Sequence, residues 1–425
     1  MQIKLHYGLQ SELSFQVAEE SLLHVHGQDA PQNLTLAQLP QAVFDALEHP
    51  IEFPPLRECL LDSDHLVIPI APGIPHAETI LRSVLEYVFG TSPEHQPLHV
   101  TILRTRSDEA AGIPSFDAIL PHETPFSEDA LRKKITIRTH HPDKKEEMAL
   151  LGVDETNETL VIHREMFDAE FVLPIGFFLP KGTPGHFGIH TAVYPTFSDA
   201  QTHERFQNFG PQMHATQHEL MHQLEHEISE ATRQLGVLCM LQIVPGIPTL
   251  GTSNVVRVMA GDFRELESSG YSLYCELWTL LSERRLDVVL ATMNGPEAAS
   301  WNQAILALEH ASRLVRPETG IIVLASDLAA AAPEDLPRFL QIYHQVQTPE
   351  TAEKFIRREN LPDQPLALKL LQILTHYRVF FLSSMNGELL EELNVMPLEG
   401  AGELERLIAN SGSLTILPDA QRIIN

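Results

Sequence analysis

Short runs that are apolar on both faces recur along this chain, and segments of helical period separate them. HLVIPIAP (65–72), LHVTILRT (98–105), VLCMLQIVPG (237–246), LDVVLATMNGP (286–296), TGIIVLAS (319–326), RVFFLSSM (378–385) and LTILPDA (414–420) all follow this form. A strand buried on both faces belongs to a parallel sheet covered by helices, because the crossover helices bury it. The intervening amphipathic stretches include 40–48, where Pro40 suits a first helical position, 77–89 and 300–314. The expected fold is therefore α/β, with mainly parallel sheets flanked by helices.

Further strands are expected around Ile3, Leu5 and Tyr7, and at 133–140, 158–167 and 169–178. A long helix is expected from about Pro211 to Gly236, another over 272–283, and helix-rich sequence over 333–376. With 425 residues the chain exceeds a single core. The pattern weakens between Gly261 and Gly270, so the reading is two α/β domains, 1–268 and 269–425. In open parallel sheets ligands bind beyond the carboxyl ends of the strands. The loops after Ile70, Arg104, Phe178 and Ala291 are the places to search, together with 179–210, which is rich in Gly, Pro and His and has no clear period.

Charge narrows the partners. A formal net charge of -28 repels phosphate backbones and anionic lipid, so nucleic acid and membranes are poor partners, whereas a local pocket still accepts a small anion. Cys59, Cys239 and Cys275 are too scattered for a disulfide framework or a metal knuckle. The opening MQIKLHYGLQSELSF lacks a signal-peptide core, and no run approaches about 18 apolar residues, which suggests a soluble cytoplasmic protein.

The sharpest local string is His218-Glu219-Leu220-Met221-His222, an HExxH pattern that places two imidazoles one helical turn apart beside a carboxylate. His214 and His226 extend it into a ladder. Read alone it suggests a zinc hydrolase. Yet Leu220, Leu224, Ile228, Ala231 and Leu235 form the apolar stripe of that helix, and the histidines sit two residues out of phase. Two residues turn about 200° around the axis, so the ladder is expected to face water.

Over nearly its full length the chain resembles the nickel-dependent lactate racemase family, isomerases that carry a nickel-pincer nucleotide in the cleft between two α/β domains. The best segment is GFFLPKGTPGHFGIHTAVYPTFSD (176–199), in which Gly176, Phe177, Gly185, Gly188 and Pro195 keep the places of a glycine-rich family loop. The resemblance implies that Lys181 stands where the family has a catalytic histidine and Thr191 where it has the lysine that tethers the cofactor. Gln207 stands near an expected nickel-ligand histidine, and Ser107 is nearest the second catalytic histidine. The family's D-x-T-R-P loop is here Ala71-Pro72-Gly73-Ile74-Pro75, without the substrate-clamping arginine, and Asn294, Gly295, Trp301 and Gln303 keep the cofactor-side look. Leu306 replaces a lysine there.

Racemising a 2-hydroxy acid through hydride transfer needs a base on each face of the substrate. Ser107 cannot serve near neutral pH, and Lys181 serves only with a strongly lowered pKa. Without a lysine at 191 the covalent cofactor link is excluded. His186, His190 and His203 are the natural replacement ligands for nickel or another divalent metal, against the plainer reading of ordinary loop histidines. Arg104 and Arg106 could clamp a carboxylate, or simply balance Asp108 and Glu109. Trp301 and Gln303 could hold a planar ligand, or Trp301 could be packing. Three functions follow: a divergent racemase or epimerase binding a small 2-hydroxy acid or related anion with an altered metal site, a catalytically silent metabolite- or nucleotide-binding protein on the same scaffold, and the zinc hydrolase.

Overall fold

The runs of Val, Ile and Leu form strands, and the amphipathic stretches form helices beside them. The computed structural model describes residues 1–425 except 9–10, 28–30, 62–63, 91–98, 123, 155–157, 180–185, 187, 208–214, 249–252, 281–284, 296–297, 299, 329–350, 352, 355, 357, 359–363, 384, 386, 411 and 425. In chain order the strands are β1 (Gln2–Tyr7), β2 (Ser11–Gln16), β3 (Leu22–Val25), β4 (His65–Pro69), β5 (His99–Arg104), β6 (Ile135–Thr139), β7 (Met148–Val153) and β8 (Thr159–His163). They continue with β9 (Phe171–Val172), β10 (Ile175–Phe177), β11 (Met240–Pro245), β12 (Val255–Gly261), β13 (Val288–Thr292), β14 (Ile321–Ala325), β15 (Arg378–Leu382), β16 (Met396–Pro397) and β17 (Leu414–Leu417).

Two compact units result, and they are not contiguous in sequence. One comprises Pro31–Phe209 with Met213–Tyr274, the other Met1–Ala30 with Cys275–Asn425. The first thirty residues thus join the C-terminal unit, although a division of the chain at 268 counts them with the N-terminal one. The cause is pairing: β3 lies parallel to β17, and Gly8 bridges Asn294. Such long-range registers are invisible to local periodicity.

In the N-terminal unit the sheet order is β6-β5-β4-β9, all parallel, and a bridge from Ile70 to Ile175 joins it to β10-β11-β12, where only β11 and β12 run antiparallel. One face of the first sheet is apolar: Leu66, Ile68, Val100, Ile102 and Ile135 pack with helices Leu39–Glu48 and Ala77–Phe89 in a single core. The opposite face carries His65, His99, Thr101 and Arg138, and Glu165 reaches it from the turn after β8. The hairpin of β7 and β8 completes the unit.

The C-terminal unit has the order β16-β15-β14-β13-β17-β3, with every pair parallel. β13 and β14 are buried at all their positions, as expected for strands covered on both faces. The β1–β2 hairpin and helix Ala401–Ala409 cover one face, while helix Trp301–Leu314 packs against β13 and β14.

One helix departs from expectation. Phe263–Trp278 is continuous and runs through the stretch taken as a domain boundary. Ser268, Ser269 and Gly270 weaken its helical signal. Gly270 is there for packing, since a Cβ at that position would lie 2.0 Å from the Phe178 ring.

Candidate functional site

The carboxyl ends of β4, β5 and β10 open onto loops that carry most of the residues singled out from sequence. After β4 the chain turns at Gly73, with φ of 76°, a left-handed conformation suited to glycine. The N–H of Gly73 donates to the Asp108 carboxylate. After β5, Thr105 caps the short helix Arg106–Ala110 in a reciprocal box with Asp108. Burial raises the Asp108 pKa, against the hydrogen bonds from Thr105 and Gly73 that lower it. Asp108 therefore ties two strand-end loops together, and the T-x-x-D pattern after a strand was the sequence signal for it.

The arginines do not form a free clamp. Arg104 donates to Thr139 Oγ1 at 3.1 Å, to the carbonyls of Ile113 and Pro114, and to Glu109 at 3.2 Å. Its guanidinium is spent on holding neighbouring loops. Arg106 is exposed and pairs with Asp143. Ser107 is exposed too, its hydroxyl 2.8 Å from that of Thr105.

Further along, most of the described residues after β10 are buried. Ile189–Ala192 is a buried turn that follows Gly188, with φ of 96°. His190 is only 7% exposed, its Nδ1 has no hydrogen-bond partner, and its ring meets Phe263 at 4.8 Å and 62°. Burial lowers His190 to about 4, with Asp262 acting the other way. Thr191 is buried beside it, and its carbonyl accepts the Thr196 hydroxyl at 2.6 Å. Gly176 leaves room for Gln242, whose Nε2 also lacks a partner. His186 is lowered to about 4 by burial. Lys181 and Gly185 lie outside the described residues, as does the side chain of Gln207.

His186, His190 and His203 do not converge as a ligand set. Among the described residues no group of three or more His, Cys, Asp or Glu is arranged to hold a metal ion. His203 instead donates through Nε2 to the carbonyls of Pro195 and Thr196, at 2.8 and 3.2 Å.

Helix Ala215–Gln234 buries Leu224, Ile228 and Ala231 and exposes His226, as its periodicity requires. The side chains of His218, Glu219 and His222, and the whole of His214, lie outside the described residues. Sequence reading missed Glu227 on this helix. It is buried, accepts from Tyr194 at 2.7 Å and takes a bidentate grip from Arg205 at 2.6 and 2.7 Å. Burial and the facing Glu227 both push the Tyr194 phenol up.

In the C-terminal unit Asn294 donates from its backbone and side chain to Asp419, at 2.8 and 2.9 Å, and Gly295 has φ of 70°. Trp301 is buried against Phe381, with no partner for its Nε1. Gln303 is partly exposed and Leu306 is core.

The sequence is 21% identical over 315 residues to the lactate racemase of Thermoanaerobacterium thermosaccharolyticum, covering 70% of this chain and 71% of that protein. The apoprotein structure of lactate racemase from that organism superposes with a TM-score of 0.70 at 18% identity, covering 100% of this chain and 99% of that one. The chain is thus similar in sequence to lactate racemase and shares its fold. A structural-genomics crystal structure from Thermotoga maritima is also similar, with a TM-score of 0.61, 10% identity, and coverage of 93% of this chain and 99% of the other. No family model matches the sequence.

This lactate racemase-like scaffold does not fit the family's nickel-pincer nucleotide. Thr191, which the resemblance sets at the tether position, has no amine and is buried in a turn where its carbonyl accepts the Thr196 hydroxyl. Leu306, which the resemblance sets against a second lysine, is packed in the core.

Proposed function

We propose that this protein binds a small 2-hydroxy acid or related carboxylate anion at the carboxyl ends of β4, β5 and β10, using side chains of its own and no covalently tethered nucleotide. His190 carries the reading. Its buried imidazole is neutral near pH 7, and an Nδ1 with no protein partner, held out of water, gains most from a ligand hydroxyl, which can either donate or accept. Helix Ala77–Phe89 begins just after the β4 loop with no side-chain cap at His76, so its first N–H groups suit a carboxylate. The racemase scaffold supports the substrate class, and the missing lysines argue for binding without the family's hydride chemistry.

The experiment is a thermal melt of wild type and His190→Ala with each enantiomer of lactate. A ligand that binds only the folded state raises Tm with concentration. The expected outcome is a rise in wild type and none in the variant. No response to either enantiomer, or an equal response in His190→Ala, ends the proposal. Intact mass should equal that of the bare polypeptide.

A further inference from the structure

Four consecutive carbonyls after the buried turn are all held from one side. His203 Nε2 lies 2.8 Å from Pro195 O and 3.2 Å from Thr196 O, the His163 backbone N–H donates to Phe197 O at 2.9 Å, and His140 Nε2 lies 2.8 Å from Ser198 O. Carbonyls only accept, so both rings must carry their proton on Nε2. The three imidazoles cluster, with His140 5.4 Å from His163 and 5.8 Å from His203 between ring centroids, and Phe197 packs edge-on at 5.5 Å. His140 is 2% exposed, and its Nδ1 has no partner.

We propose that the cluster around His140 is an acid-released latch: it pins segment 195–198 while the imidazoles are neutral and lets the segment go when they are protonated. The segment is coupled to the turn above it, because Thr196 Oγ1 donates to Thr191 O. A second proton on His140 would sit on a buried Nδ1 with nothing to receive it, among rings that acquire the same charge.

The groups around it set the direction. His140 is faced by His163 from the end of β8, by His203 from helix Ala200–Gln207, and by His141 beside it, all of which disfavour its charge. Glu147, Glu165 and Arg138 face His163, Glu147 also lies 3.5 Å from His141 Nδ1, and Asp199 acts on His203. No carboxylate is among the groups acting on His140, so its charge goes uncompensated. Burial first, then His163 and His203, lowers His140 to about 3, and burial lowers His163 to about 4. The latched state is therefore fully favoured above the ordinary histidine value and weakens as pH falls below it.

The test is amide exchange read by mass spectrometry on the full chain without ligand, as protection factors for the peptide 193–200 and for β13 as a control. Protection of 193–200 should fall roughly tenfold per pH unit below about 6.5 for one proton taken up, with β13 unchanged. His140→Gln keeps an amide donor for Ser198 O and cannot take the proton, so it should stay protected at pH 7.5 and lose the pH dependence. Flat protection in wild type, or an undiminished slope in His140→Gln, overturns the proposal. Should that variant not fold, ring titration of the wild type by NMR decides: His140 protonating in step with loop opening supports the latch, and protonation near 6.5 with the loop still protected refutes it. None of these readouts requires lactate to bind, so they fail or succeed apart from the function proposed above.

Discussion

The two units obey the same topological rule and treat their sheets differently. β13 and β14 in the C-terminal unit are apolar on both faces, and a buried charged cluster sits in the helices: Lys369 pairs with Glu309, which also takes Arg313 at 2.8 Å. In the β6-β5-β4-β9 sheet of the N-terminal unit one face is largely apolar, while on the other the buried Val67 and Leu103 share space with polar groups. Its other face bears His65 bonded to Thr101 at 2.8 Å, with Glu165 and Arg138 paired at 3.3 Å, and His140 and His163 cluster just beyond. Burying the imidazoles of His140 and His163 is less costly than burying ion pairs, yet it binds stability to pH. Parallel architecture thus leaves the chemistry of a unit open, and what covers the second face of the sheet decides it.

The largest test of this contrast lies in the C-terminal unit. Lys369→Met strands the Glu309 charge among buried groups and should cost about 3 kcal/mol, the lower end for breaking a buried pair because Arg313 remains. Lys369→Met with Glu309→Leu should recover most of it. Denaturant unfolding measures both, and a Lys369→Met loss below about 1 kcal/mol would show that the pair is effectively solvated. Acid gives the next effect. His140 and His163 are lowered in the fold to about 3 and about 4, against about 6.5 unfolded, so their contribution is complete above pH 6.5 and is lost as pH falls toward those values. Each removes about 1.4 kcal/mol per pH unit in that window. His26, lowered to about 4 by burial, adds a smaller loss in the C-terminal unit. Amide exchange resolved by unit should show the N-terminal one weakening first, and simultaneous loss would erase the distinction. The smallest effect is expected at the exposed Arg106–Asp143 pair, where Arg106→Ala should change stability by no more than about 0.5 kcal/mol and leave any lactate response intact.

Much of this was legible from the chain. The apolar runs at 65–72, 286–296 and 319–326 became β4, β13 and β14, and the stripe through Leu224, Ile228 and Ala231 turned inward as its period demanded. The misreadings have physical causes. Gly270 reads as a break and is a close approach to Phe178. Arg104 and Arg106 read equally as a carboxylate clamp or as charge balancing Asp108 and Glu109; Arg104 does meet Glu109, and each also binds a partner distant in sequence, Thr139 and Asp143. His203 reads either as a ligand or as an ordinary loop histidine, because imidazoles in a loop resemble one another until their neighbours are known. It proved to be a carbonyl donor.

By itself the sequence determined the α/β class, the parallel sheets and the absence of lysine at 191 and 306, since each depends on residue type and short-range period alone. Only the tertiary structure decided that the first thirty residues belong with the last, that Glu227 is a buried anchor, and that His140, His163 and His203 meet behind segment 195–198. Those outcomes rest on contacts between positions tens to hundreds of residues apart, where the energy of a pairing depends on the whole fold that brings its partners together.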